Sequence, residues 1–206
     1  MKKIVILALV AFALVTCAPA FAASTVTSGP YNITASVDGA LSMSVVLYKN
    51  TVIPANVVTN MSFGSLMDVG TGTLRSSPTG STGVGSVVAL ISANSHSLPY
   101  TIKQTGTAMT SGTNSLPSGA CCVTPVYASA DNGGLAKPAG AVLGTPGSWV
   151  ATDKAIYTSE TGAAAMRTVQ AHYSISDDPA AGSTAGVPLS QAGGSYAGTV
   201  TISVTA

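Results

Sequence analysis

Tyr196-Ala-Gly-Thr-Val-Thr-Ile-Ser-Val-Thr-Ala206 is the stretch whose reading decides the fold class. Val200, Ile202 and Val204 alternate with Thr199, Thr201, Ser203 and Thr205, the period-two pattern of a strand with one buried and one wet face. Such a strand carries backbone donors and acceptors along both sides, and these need partners. The first question for the remainder of the chain is therefore which segments lie beside it.

The same alternation recurs upstream. Residues 168–175 set Val169, Ala171, Tyr173 and Ile175 on one face and form the strongest internal candidate to pair with the terminal strand. Residues 84–93 are apolar and nearly continuous, as expected of a central strand buried on both faces. Residues 99–104, with Tyr100 and Ile102 in alternation, are expected to pair beside them. Residues 31–37 and 41–47 alternate as well, as two strands or one long bent strand. Shorter strands are expected at 59–64, with Met61 and Phe63 on one side, and at 73–75, 121–128, 148–152 around Trp149, and 156–157.

Between these runs lie turn signals: the crowded Gly, Ser and Thr of 70–85, Asp131-Asn-Gly-Gly134, and the polar stretch 177–188. No helical spacing appears beyond the first residues, although the alanines at 163–165 would support one turn. About eight to ten strands separated by turns predict an all-β antiparallel sandwich, with a closed barrel as the alternative.

The beginning of the chain predicts export. Lys2 and Lys3 precede an apolar run from Ile4 to Val15, and Ala20-Phe21-Ala22 before Ala23 is a cleavage site of signal-peptidase type. Cys17 follows Thr16 rather than the small residue that precedes a lipid-modified cysteine, so it reads as an ordinary signal-peptide residue. The apolar run is shorter than the ~20 residues needed to span a bilayer, so no mature transmembrane segment is expected. The expected organisation is a signal peptide at 1–22, an N-terminal extension or first strand at 23–37, and a single β-sandwich domain at 38–206. The expected destination runs from the periplasm to the cell surface or the extracellular space.

Charge is scarce. Asp, Glu, Lys and Arg make up 7% of the chain, against roughly 25% in ordinary globular proteins. A formal net charge of +1 builds no field for nucleic acid. With 46% hydrophobic residues the chain also lacks the balance of a disordered one. A surface of Ser, Thr, Gly and Asn repels its own copies weakly, which suits a subunit that packs into an assembly.

No reaction is announced, and the chain is read as a non-enzyme without cofactor or metal. His96 lies in a turn-like segment and His172 on the outward face of its strand, and neither has a second histidine at ligand spacing. No G-x-S-x-G elbow occurs. Most of the acidic residues fall in turns, and Asp177-Asp178 reads better as a solvated turn than as a calcium loop. Cys121-Cys122 is the one unusual chemical feature. Adjacent strand residues point to opposite faces, so three outcomes stand open: separate thiols with one buried, a strained vicinal disulfide, or bonds to another chain.

A signal peptide, an alternating first strand, Ser62-Phe-Gly64, Leu98-Pro-Tyr-Thr-Ile102 and the closing Ala192-Gly-Gly-Ser-Tyr-Ala-Gly-Thr-Val-Thr-Ile202 together resemble bacterial exported surface β-sandwich subunits. These include fimbrial subunits of the chaperone–usher type and spore coat U-like proteins. The resemblance implies a pilin-like, immunoglobulin-like fold and a homo-oligomer or polymer built by strand addition. In that scheme a segment of one subunit completes the sheet of the next, with a periplasmic chaperone and outer-membrane secretion machinery as partners.

Residues 23–37 then become the candidate inter-subunit strand, with Val26, Ile33, Ala35 and Val37 as its apolar residues. Val200, Ile202 and Val204 mark the candidate edge that receives it. The chain departs from that pattern in having no pair of distant cysteines after residue 22 and in the Gly29-Pro30 step within the donor. The implied function is a structural subunit of an extracellular fibre, pilus or coat. The alternative is a secreted adhesin or carbohydrate-binding module acting as a monomer through the turn-rich segments 64–85 and 129–147, with Trp149 and tyrosines as stacking rings.

Overall fold

The computed structural model describes residues 25–28, 34–37, 41–68, 70–76, 86–95, 98–128, 138–161 and 166–206. The expected leader at 1–22, Ile33, the Gly29-Pro30 step, His96 and the turn at 131–134 lie outside them.

In chain order the strands are β1 (Thr25–Ser28), β2 (Thr34–Val37), β3 (Leu41–Lys49), β4 (Val57–Val58), β5 (Leu66–Asp68), β6 (Thr73–Ser76), β7 (Ser86–Asn94), β8 (Thr101–Gly106) and β9 (Thr110–Ser111). They continue with β10 (Asn114–Ser115), β11 (Cys121–Tyr127), β12 (Val142–Leu143), β13 (Gly147–Ser148), β14 (Lys154–Thr158), β15 (Arg167–Ile175), β16 (Val187–Pro188) and β17 (Val200–Thr205). No α-helix occurs among the described residues. The fold is all-β with antiparallel sheets, as the alternation predicts.

Two sheets carry most of the structure. One runs β1-β17-β8-β14-β12, and the other runs β13-β11-β15-β7-β3-β2 with β4 also on β3. A small sheet, β16-β6-β5, and the β9–β10 pair complete the set.

The strongest alternating runs form the core in the expected way. Leu41, Met43, Val45 and Leu47 of β3 are buried, as are Val169, Ala171, Tyr173 and Ile175 of β15. They share one cluster with Ile102 of β8, Ile156 of β14 and Val200, Ile202 and Val204 of β17, so the two large sheets bury their inner faces against a common core. Each fully buried side chain of this size contributes about 1.5–3 kcal/mol. β7 is central, held between β15 and β3, and Val88 is buried on the side away from the cluster.

Four expectations about neighbours and strand limits are corrected. First, β17 does not pair with residues 168–175; it lies between β1 and β8. The reason is that β15 already has β11 on one side and β7 on the other, so it meets β17 across the core and not edge to edge. Second, residues 99–104 do not lie beside β7. A turn in which Leu98 N–H donates to the Ser95 carbonyl (3.2 Å) precedes Pro99, and the chain re-enters as β8 in the other sheet, paired with β17 and β14.

Third, residues 59–64 form no strand. Met61 and Phe63 do turn partly toward the core while Asn60 and Ser62 stay exposed, so the alternation is present without a partner strand. Fourth, the strand at 148–152 ends at Ser148, and Trp149 begins a bend. Gly106 of β8 explains the bend, since it lets the Trp149 carbonyl come so close that an added Cβ would lie 2.2 Å from that oxygen.

Candidate functional site

Two features of this architecture bear on function. The first is the N-terminal segment, which supplies an end strand to both large sheets. β1 pairs with β17, placing Val26 opposite Val204, and β2 pairs with β3, placing Ala35 opposite Met43 and Val37 opposite Leu41. Of the residues expected to form an inter-subunit strand, Val26, Ala35 and Val37 thus lie in end strands paired within the chain, and Ile33 lies outside the described residues. Val200, Ile202 and Val204 are buried core residues whose backbone receives β1 on one side and β8 on the other.

The second feature is a cleft of about 570 Å³ beside the approach to β17. Met61, Phe63, Leu66 and Leu74 line one part, Met109 and Leu116 another, and residues 191–196 close it. It adjoins a smaller hollow of about 160 Å³ that shares Met61, Phe63, Met109 and Tyr196. Phe63 stacks on Trp149 with ring centroids 5.2 Å apart and planes 15° from parallel. Trp149 is only 3% exposed and also leans on Tyr173, so it is a core anchor and not a surface platform. On the other wall the Tyr196 ring is fixed by its hydroxyl, which donates to the Ala192 carbonyl (2.6 Å) and accepts from Gln191 Nε2 (2.7 Å). The alternating Met61 and Phe63 were legible as a short apolar face; the convergence of residues 60–66 with 191–196 was not.

Cys121 and Cys122 are both free and both fully buried. Cys121 belongs to the core cluster, and burial pushes its thiol up to about 12. Cys122 faces the other side of β11, where its Sγ lies 3.4 Å from the Ala120 carbonyl, and burial raises its thiol too. Buried, protonated thiols of this kind are inert rather than catalytic.

The remaining polar clusters hold segments together. Asp177 contacts the Arg75 guanidinium and accepts from the Thr73 hydroxyl (2.5 Å), tying β6 to the end of β15. The Thr73 hydrogen bond, with help from Arg75 and against the opposing effect of burial, holds the Asp177 carboxyl down to about 2. Arg167 pairs with Glu160 at 2.6 Å, and Glu160 also accepts from the Tyr157 hydroxyl at 3.4 Å. His172 sits on the outward face of β15, its Nε2 2.9 Å from Gln170 Oε1, and burial lowers its pKa. Asp178 caps the short turn at 179–181 by accepting from Ala180 N–H at 2.9 Å, the role of a turn carboxylate.

Among the described residues no group of three or more His, Cys, Asp or Glu is placed to hold a metal ion, and no helix is long and apolar enough to cross a membrane. Comparison of the chain with protein-family models, with curated proteins and with solved structures found no match in any of the three.

Proposed function

We propose that this chain is a structural subunit of an extracellular fibre, pilus or coat, an exported immunoglobulin-like β-sandwich that assembles by strand addition between copies. The observation that carries the reading is that one short segment, residues 25–37, supplies an end strand to both large sheets through β1 and β2. Strand pairing of this kind uses backbone groups in a fixed register, so a neighbour's identical segment can occupy the same edges. The sparse charge of the chain supports close packing of copies. Before assembly the edges of β17 and β3 need a cover, and a periplasmic chaperone acting with outer-membrane secretion machinery fits that need.

Negative-stain microscopy of the exported protein and gels run before and after boiling test this reading. Filaments and a heat-sensitive ladder are expected. In the double variant Val26→Cys with Val204→Cys, oxidation should link neighbouring copies, because these two positions face each other across the β1–β17 register. A monodisperse monomer in which the double variant forms only an intrachain crosslink, and which in the unsubstituted protein stays folded after removal of residues 23–30, would sink the proposal.

A further inference from the structure

The cleft beside β17 has features that packing alone does not require. Among the described residues lining it there is no Asp, Glu, Lys, Arg or His. A charged ligand would enter without a counter-charge, which disfavours it strongly in a partly desolvated site. Yet the walls are rich in uncharged hydrogen-bonding groups. The backbone of residues 60–64 makes no hydrogen bond to any described residue, and neither does that of residues 193–195. The side chains of Asn60, Ser62, Ser65 and Ser195 add exposed amide and hydroxyl groups to the same walls.

Two aromatic rings line this space, and both are fixed in advance. Phe63 is backed by Trp149, and Tyr196 is held by Gln191 and the Ala192 carbonyl. A ring that is already immobile loses little entropy when a ligand stacks on it. The occupant must therefore be uncharged, dense in groups that both donate and accept, and apolar on a face that can lie against a ring. A pyranose has this combination, with equatorial hydroxyls around its rim and C–H bonds on its faces. About 570 Å³ lies within the range of small-ligand sites and leaves room for more than one sugar ring.

We infer that this cleft is a binding site for a neutral oligosaccharide, with Phe63 and Tyr196 as stacking surfaces and Asn60, Gln191 and the backbone of residues 60–64 as hydrogen-bonding partners. The lining residues named here all lie outside β1 and β2, so sugar binding and strand addition are tested separately.

A glycan array carrying neutral hexose and N-acetylhexosamine oligosaccharides beside sialylated and sulfated ones tests the inference on the whole protein. Binding to neutral glycans alone is expected. Trp149 is the only tryptophan, and its stack on Phe63 makes its emission a direct report of occupancy as the best neutral glycan is titrated in. Gly193→Tyr places a side chain where an added Cβ meets nothing within 4 Å, so it should fill the cleft without disturbing the fold. That variant should keep its thermal midpoint and lose binding. Asn60→Ala with Gln191→Ala should bind at least about tenfold more weakly, which provides a second reading if the first variant fails to fold.

Absence of neutral-glycan binding, preference for acidic glycans, binding unchanged in both variants, or capture of an uncharged extended peptide in place of sugar would each overturn the inference. Filament formation by Gly193→Tyr separates the two proposals, since loss of sugar binding leaves strand addition untouched.

Discussion

The Tyr173 hydroxyl donates to Oε1 of Gln104 at 2.6 Å, a polar link between β15 and β8 across the core. Both residues are fully buried, and Gln104 Nε2 donates in turn to the Trp149 carbonyl at 3.2 Å. The two large sheets are thus registered by a hydrogen-bonded chain as well as by apolar contact. Burial of the Tyr173 phenol raises its pKa, which keeps the hydroxyl protonated and able to donate. Tyr173→Phe removes the donor and leaves Oε1 of Gln104 dry and unpaired, which should cost about 1–3 kcal/mol in urea unfolding. A cost near zero would mean that the link contributes nothing.

Gly106 should tolerate no side chain. A Cβ at that position would lie 2.2 Å from the Trp149 carbonyl oxygen, and that oxygen belongs to backbone already engaged by Gln104. Gly106→Ala is expected to destabilise by about 2–4 kcal/mol. Chemical denaturation measures this, and a ΔΔG below about 0.5 kcal/mol would show that the bend at Trp149 yields freely.

The two thiols should be silent in the native state. With the Cys121 thiol pushed up to about 12, almost no thiolate exists at pH 8, and both sulfurs are shielded from reagents. Ellman's reagent should label Cys121 and Cys122 slowly or not at all in buffer and fully in guanidinium. Rapid native labelling of either one contradicts its burial.

Acid should loosen the contact between β6 and the end of β15. The Asp177 carboxyl lies at about 2 against an ordinary 3.8, so its stabilising contribution is complete above the ordinary value and disappears as pH falls through about 2. Thr73→Val removes the hydrogen bond that contributes most to the shift. Its penalty, about 1 kcal/mol after allowance for partial exposure to solvent, should be full above pH about 4 and should shrink below it. Urea midpoints measured from pH 7 down to pH 2 check the trend, and a pH-independent penalty would rule out the carboxylate as the cause.

Much of the fold could be read directly from residue alternation. The alternating runs through Met43, Tyr173 and Ile202 each assign a buried face, the continuous apolar run through Ala89 reads as a strand buried on both, and each lies on a strand. Partner choice was less accessible, because a period-two pattern identifies the face but not the neighbouring edge. Val169 and Ile202 therefore both read as inward residues, although their strands meet across the core and not side by side. Trp149 reads as part of a short strand at 148–152, but its position in a bend depends on Gly106, about forty residues away in sequence, and such long-range contacts leave no local pattern. The cleft was least visible for the same reason: Phe63, Met109 and Tyr196 come from three separate segments, and the lack of backbone hydrogen bonds from residues 60–64 to other described residues cannot be inferred from side-chain order.

The pairing of Thr25 with Thr205 has a kinetic consequence. A ribosome makes β1 first and β17 only after the intervening strands, so these two strands close a loop that spans almost the whole described chain. Contacts of such long sequence separation form late and slowly. β3, β7 and β15 can pair before β17 exists, leaving β1 without its partner strand until the chain is complete. The last pairing to form is then that of a short N-terminal strand with the edge of β17, the final strand to be made.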